Sequence, residues 1–237
     1  ALEDALLHLT SFYNKSKNLC LSGGVALNCV ANGKILESGH IDNIFIQPAA
    51  HDAGTALGAA VMMATRDGNK FKKMEHIYYG PEFSNEQIKK ILDMNKLEYE
   101  YVKGIEKTAA HLISDGKVIG WFHSRIEVGP RALGNRSILA DPRDPSMKDK
   151  VNNLVKHRES WRPFCPSLLE HAMKDYFTID YESPYMILAF DVKENMRKEI
   201  SSVVHVDGTA RPQTVNERQN KTYFKLLKEF EKITGVP

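Results

Sequence analysis

The segment from Arg125 to Arg162, RIEVGPRALGNRSILADPRDPSMKDKVNNLVKHRESWR, constrains this chain more than any other, because it sets a Gly-Pro-Arg-Ala-Leu-Gly turn among closely spaced cations. The residues before it, KVIGWFH at 117–123, are apolar and β-branched enough to form a buried strand. The Gly129-Pro130 break then opens a loop beside a strand end, where α/β folds usually bind ligands. Gly129 and Gly134 bracket Pro130, Arg131 and Ala132, which suits a backbone that turns tightly and lets an anion approach its N–H groups. Arginine supplies what such a site needs, since a planar guanidinium holds two phosphate or carboxylate oxygens at once and keeps its charge when partly buried. The segment carries nine Lys and Arg against five Asp and Glu. A solvated, salt-bridged surface explains any one of these arginines. It explains the set less well, because four of them adjoin Gly, Pro or Asn in turn-like sequence and not at the spacing of helical ion pairs.

With 237 residues the chain can form one large or two modest domains, and two are expected. The net charge is only +2, so an anion site must be local and the protein is not a polybasic nucleic-acid binder. Cys20, Cys29 and Cys165 are odd in number and lack a C-x-x-C pair, which indicates neither a disulfide framework nor a thiolate zinc site and points to a reduced, cytoplasmic setting. No apolar run approaches the roughly 18 residues of a membrane span, and no signal pattern opens the chain. Ala1 already lies inside a helical repeat of Leu2, Ala5, Leu6, Leu9, Phe12 and Tyr13, as in a fragment of a longer polypeptide.

The first seventy residues read as a repeated strand–turn–helix unit. Leu19 to Leu21 is a short strand, broken by Ser22-Gly23-Gly24 and followed by a helix that Gly39 closes. Ile44 to Ile46 is the second strand, Gln47 to Asp52 its loop, and AGTALGAAVMMATRDG a small-residue helix. Each helix N-terminus offers free N–H groups to an anion, although a glycine needed only for its turn fits Gly23 and Gly24 equally well. Asp52 stands where an α/β protein often turns a carboxylate toward a metal or ribose, and capping its own helix is the simpler role. The nine histidines show no ligand spacing.

Periodicity fades from about Asp67 to Phe83, the expected domain link. Ser84 and Gln87 form a capping box for a helix through Met94. Beyond it the expected order is a strand near 98–102, helix 105–115, strand 117–122, the anion loop, helices 146–157 and 169–177, strands 185–192 and 203–206, and an amphipathic helix 220–233. The fold class is mixed α/β with alternating elements.

A second basic motif, VVHVDGTARPQTV at 203–215, breaks at Asp207-Gly208 and continues into Thr209 and Arg211. Two separated arginine loops on one α/β domain can converge on a polyphosphate. Together the runs LSGGVALN, QPAAHDAGTALGAA, EVGPRALGNRSILADPR, WRPFCPSLLE and HVDGTARPQTV resemble the C-terminal part of the NodU/CmcH family of O-carbamoyltransferases, over nearly the whole chain.

The resemblance implies the C-terminal portion of an actin-like ATPase-fold domain at 1–75, which transfers the carbamoyl group, and a YrdC-like domain at 76–237, which makes carbamoyladenylate and stops short of its own C-terminus. It implies ATP and carbamoyl phosphate as ligands and a small hydroxyl-bearing molecule as acceptor. By the same resemblance Arg131, Lys156 and Arg211 bind phosphates and the carbamoyl group, with Arg125, Arg136 and Thr209 as further nucleotide contacts. Gly23 and Gly24 would lie against nucleotide phosphates, and Asp52 would be a carboxylate ligand to a divalent metal, iron or magnesium, completed by the missing N-terminal half. The competing expectation is a YrdC-like RNA- or nucleotide-binding module without transferase chemistry. The near-neutral charge and the lack of exposed aromatics interleaved with the arginines argue against RNA.

Overall fold

The computed structural model describes residues 1–71 and 74–237, so Lys72 and Lys73 of the expected link lie outside the described residues. In chain order the elements are α1 (Leu2–Tyr13), β1 (Asn18–Leu21), α2 (Cys29–Glu37), β2 (Asn43–Ile46), α3 (Thr55–Arg66), α4 (Asn85–Met94), α5 (Ile105–Ser114), β3 (Ile119–Phe122), β4 (Arg136–Leu139), α6 (Met147–Val151), β5 (Ser167–Leu169), α7 (Met173–Tyr176), β6 (Phe190–Asp191), β7 (Thr209–Ala210), β8 (Gln213–Val215) and α8 (Lys221–Thr234). Short 3-10 turns join several of them. The strands pair two by two, β1 with β2 and β5 with β8 in parallel, β3 with β4 and β6 with β7 antiparallel. The class is mixed α/β built from small sheets.

Local chemistry accounts for several boundaries. Asn28 caps α2 by accepting the Ala31 N–H at 3.2 Å, and the Ser84–Gln87 capping box forms as the sequence predicts. Asn220 caps α8 through the Tyr223 N–H, and Gly235, at φ 79°, closes it. Ala109, Ala110 and Ile113 of α5 meet Tyr223, Leu226, Leu227 and Phe230 of α8 in the core; the alanines let the two helices approach closely.

One cluster of buried side chains draws on both sides of residue 75, including Ile35, Leu36 and Ile46 on one side and Met173, Ile187 and Phe190 on the other. The join is backbone against backbone. A Cβ at Gly33 would stand 2.0 Å from the Ala189 carbonyl oxygen, the Asn32 side chain donates to Ile187 O at 2.9 Å, and Ala189 N–H donates to Cys29 O at 3.0 Å.

Five expectations change. Residues 98–102 form no strand: Tyr99 and Tyr101 alternate with acids, but the segment lies exposed with no partner strand in the described structure. The helix expected over 146–157 ends its α part at Val151 and continues as a π turn, Asn152–Lys156, that stops where His157 adopts φ 47°. The helix expected at 169–177 is strand β5, a 3-10 turn and the short α7. Of the apolar run 185–192 only Phe190–Asp191 pairs as strand. The 203–206 strand is absent: a 3-10 turn, Ser201–Val203, runs into an Asp207–Thr209 turn, and the strands come later as β7 and β8.

Candidate functional site

The Gly-Pro-Arg-Ala-Leu-Gly loop, between β3 and β4, folds around one buried carboxylate. Glu127 has a fully buried side chain and accepts from the N–H groups of Leu133 at 2.6 Å and Asn135 at 2.8 Å. Arg136 closes the ring, its Nε 3.1 Å from Glu127 Oε2 and its Nη2 2.6 Å from the Gly129 carbonyl. A buried carboxylate with this many donors is a fixed structural anchor. Both bracketing glycines are required: φ is +108° at Gly129 and +101° at Gly134, and a Cβ at Gly134 would meet the Tyr223 ring at 2.3 Å.

The loop's carbonyls are fixed from outside. Leu133 O accepts from the Tyr78 hydroxyl and from Gln213 Nε2, each at 2.8 Å. Burial holds the Tyr78 phenol up at about 12, so it remains a donor. Gly134 O faces His123 Nε2 at 2.9 Å, and because a carbonyl only accepts, that nitrogen carries the proton. Asn220 Nδ2 donates to Asn135 Oδ1 at 2.7 Å. Gln213 lies two residues beyond Arg211, so its bond to Leu133 stitches the two arginine loops together.

A cavity of about 460 Å³ lies between them. Arg131, Lys156 and Arg211 all line it, joined by Lys148 and Arg158, against one acidic side chain, Asp141. That acid is already paired with Arg143, whose Nε and Nη2 approach its carboxylate at 2.6–3.1 Å. Arg131 is the least compensated cation: its Nε is buried with no hydrogen-bond partner. Burial, and after it the like charge of Arg211, push this guanidinium below its usual range. Among the described residues no carboxylate forms an ion pair with Arg131, Lys156 or Arg211. Two guanidiniums held together without a counterion describe a place for an anion.

The other expected contacts lie elsewhere. Arg125 is exposed, 3.5 Å from Glu82 and 3.4 Å from Gly80 O. Arg136 serves the loop and does not line the cavity. The Thr209 hydroxyl bridges Asp207 Oδ1 at 2.8 Å and His205 Nδ1 at 3.1 Å. Gly23 and Gly24 are exposed, with Gly23 N–H donating to Ala50 O at 2.9 Å. Asp52 opens a 3-10 turn after β2 and is exposed; the cap is His51, whose Nδ1 accepts from Ala53 N–H at 3.1 Å. Among the described residues no three His, Cys, Asp or Glu side chains group as a metal site. Asp52 by itself does not fit a bound divalent metal.

Comparison with known proteins agrees with the motifs. Residues 110–237 match the carbamoyltransferase C-terminus family and residues 1–61 the carbamoyltransferase N-terminus family. The chain belongs to the carbamoyltransferase family. Similar proteins include nodulation protein NolNO of Sinorhizobium fredii, 44% identical over all of this chain and 36% of that protein. Nodulation protein NolO of Bradyrhizobium diazoefficiens is 43% identical over all of this chain and 45% of its own length. Nodulation protein U of the same organism is 35% identical over 94% of this chain and 38% of its own length. The chain thus spans less than half the length of these relatives.

In this member of the family two parts of the cavity are not legible in the sequence. Cys165 Sγ accepts from Arg211 Nε at 3.0 Å and Nη2 at 2.8 Å, which fixes the guanidinium plane. No local pattern marks it, because Arg211 lies 46 residues further along the chain. The second is Arg158, which the sequence shows only as part of a basic excess; Asn152 Oδ1 accepts its Nε at 2.8 Å, and the π turn sets that geometry. Among the described residues no helix is long and apolar enough to cross a membrane.

Proposed function

We propose that this chain is the carbamoyladenylate-forming part of an ATP-dependent O-carbamoyltransferase, together with a portion of its transfer domain. Residues 1–75 are read as the end of an actin-like ATPase-fold domain and 76–237 as a YrdC-like domain. The observation that carries the reading is the convergence of Arg131, Lys156 and Arg211 on one cavity, with Arg131 half-buried and its Nε buried without a hydrogen-bond partner.

Atom balance sets the reaction. Water takes the phosphoryl group of carbamoyl phosphate as inorganic phosphate; an oxygen of the resulting carbamate then bonds to the α-phosphorus of ATP as the bond to pyrophosphate breaks. In the transfer step an acceptor hydroxyl oxygen attacks the carbamoyl carbon, its proton leaves to a base, and AMP departs. Charge builds on the leaving pyrophosphate, and the fixed cations stabilise it. Arg211, oriented by Cys165, and Arg131, oriented by the loop, need no reorganisation as that charge develops. Divalent metal chemistry belongs to the longer polypeptide in this reading, and no step is assigned to Asp52. The test is mass spectrometry of the full-length protein with ATP and carbamoyl phosphate. AMP and pyrophosphate produced only when both are present support the reading, and unaltered ATP refutes it.

A further inference from the structure

The cavity continues outward onto a surface that the anion site does not explain. Arg158 lines the cavity and also borders a shallow depression formed with Asn153, His157, Glu159 and Arg162. Arg162 pairs with Glu159 at 2.8 Å, and its guanidinium lies 5.3 Å from the centre of the Trp161 ring. Trp161 is 67% exposed, whereas the chain's other tryptophan, Trp121, is 6% exposed in the core. The exposed indole carries one arginine, and Arg158, Pro163 and Phe164 of the same short loop line the cationic cavity, so a flat aromatic surface and an anion site are borne by one segment. The sequence predicts no exposed aromatic among these arginines, and Trp161 is one.

We propose that Trp161 is the platform for the nucleobase of a nucleoside triphosphate whose phosphates enter the adjoining cavity. The inference rests on the anion-site reading above and adds to it the part of the ligand that the arginines cannot recognise. An aromatic face beside a backbone-binding cation is the usual combination for holding a nucleotide, because every base offers a π surface. Arg162 stacks on the indole and is itself tied to Glu159, so the platform is braced. Arg162, which the indole carries, also lines the depression, and the Asn153 amide and Glu159 carboxylate on that depression offer hydrogen-bonding groups to the polar edge of a base.

The test compares ATP with tripolyphosphate, which has the charge without the base, by calorimetric titration of the wild type, Trp161→Ala, Trp161→Phe and Arg131→Ala. We expect Trp161→Ala to weaken ATP about tenfold, on the scale of one lost base–aromatic stack, and to leave tripolyphosphate unchanged; Trp161→Phe should fall between. In the wild type ATP should quench the exposed tryptophan fluorescence and tripolyphosphate should not, with the quenching absent in Trp161→Phe, where only Trp121 remains. Wild-type ATP affinity in Trp161→Ala, while Arg131→Ala weakens both ligands, would overturn the platform and leave the anion site standing. Tripolyphosphate weakened as much as ATP by Trp161→Ala would mean a structural role and also overturn it. If Arg131→Ala weakens neither ligand, the anion site falls, and the joined site with it. Tighter, Trp161-dependent binding of oligouridylate than of ATP would make the surface an RNA contact and not a nucleotide platform.

Discussion

Two glycine-bearing turns follow strands in this molecule, and they are built in opposite ways. The loop after β3 is wound on a buried carboxylate, its carbonyls are bonded to side chains from three other parts of the chain, and a Cβ would overlap the Tyr223 ring at Gly134 and crowd Pro48 O at 3.3 Å at Gly129. The turn after β1 is exposed, and a Cβ at Gly23 or Gly24 would touch nothing within 4 Å. Sequence alone presents both as glycine turns at strand ends. Only the first holds charge in a set place, and the difference is how many donors and acceptors its environment commits to it.

The largest expected effect breaks that first loop. Glu127→Ala leaves Arg136 and two buried N–H groups without their acceptor and should cost about 3–5 kcal/mol in urea denaturation. Asp52→Ala, on the exposed turn after β2, should stay within about 0.5 kcal/mol of wild type. Comparable losses in the two variants would show that burial of Glu127 does not set the loop apart.

Glycine substitution sharpens the same contrast. Gly134→Ala combines a φ of +101° with a Cβ 2.3 Å from the Tyr223 ring, so strain and overpacking together should cost roughly 2–4 kcal/mol. Gly24→Ala meets open space at an ordinary φ and should be neutral or slightly stabilising. Thermal melts of both variants decide it; a destabilised Gly24→Ala would mean that the first turn carries a constraint that its surroundings do not show.

Arg131→Ala should separate function from stability. It removes a half-buried cation with a buried, unpartnered Nε beside Arg211, so the variant should melt no lower than wild type. In the full-length enzyme it should slow carbamoyladenylate formation by ~10²-fold, the scale of losing one transition-state charge donor. Loss of stability with unchanged rate would reverse the assignment.

What the sequence made legible follows the range of the interactions involved. The Ser84–Gln87 box, the amphipathic C-terminal helix, and the strands β1 and β2 rest on contacts within a few residues or on a simple apolar pattern, and they formed as read. The LEYEYV alternation at 97–102 failed because alternation describes two faces and not a partner strand. VVHV failed because the Asp207 carboxylate takes the Thr209 N–H and hydroxyl, and the backbone of His205 then pairs with Thr209 in a turn. At the site, Arg131 and Arg211 were legible as cations in turns, but Glu127 was counted merely as one acid among five. Its role depends on Leu133 and Asn135 pointing N–H groups inward, which no local pattern encodes. Cys165 was invisible for the same reason, since its partner lies 46 residues away.

The smallest predicted effect concerns two histidines at the edges of the arginine loops. Burial lowers His123 and His205 below the ordinary histidine value of 6.5, although the Gly134 carbonyl opposes this at His123 and the Asp207 carboxylate opposes it at His205. His205 Nε2 is buried without a partner, so a proton there gains no hydrogen bond. The folded protein therefore binds fewer protons than the unfolded chain just below pH 6.5, and stability rises with pH across that window. As pH falls from about 7 through the unfolded histidine value and on to the lower folded one, this contribution is lost, and then it levels off. Urea midpoints measured from pH 7.5 down to 5 should decline more steeply in the wild type than in His205→Gln, which keeps a side-chain amide near Thr209 and cannot take up the proton. A parallel decline in the two proteins would assign the slope to other groups and leave His205 with no part in it.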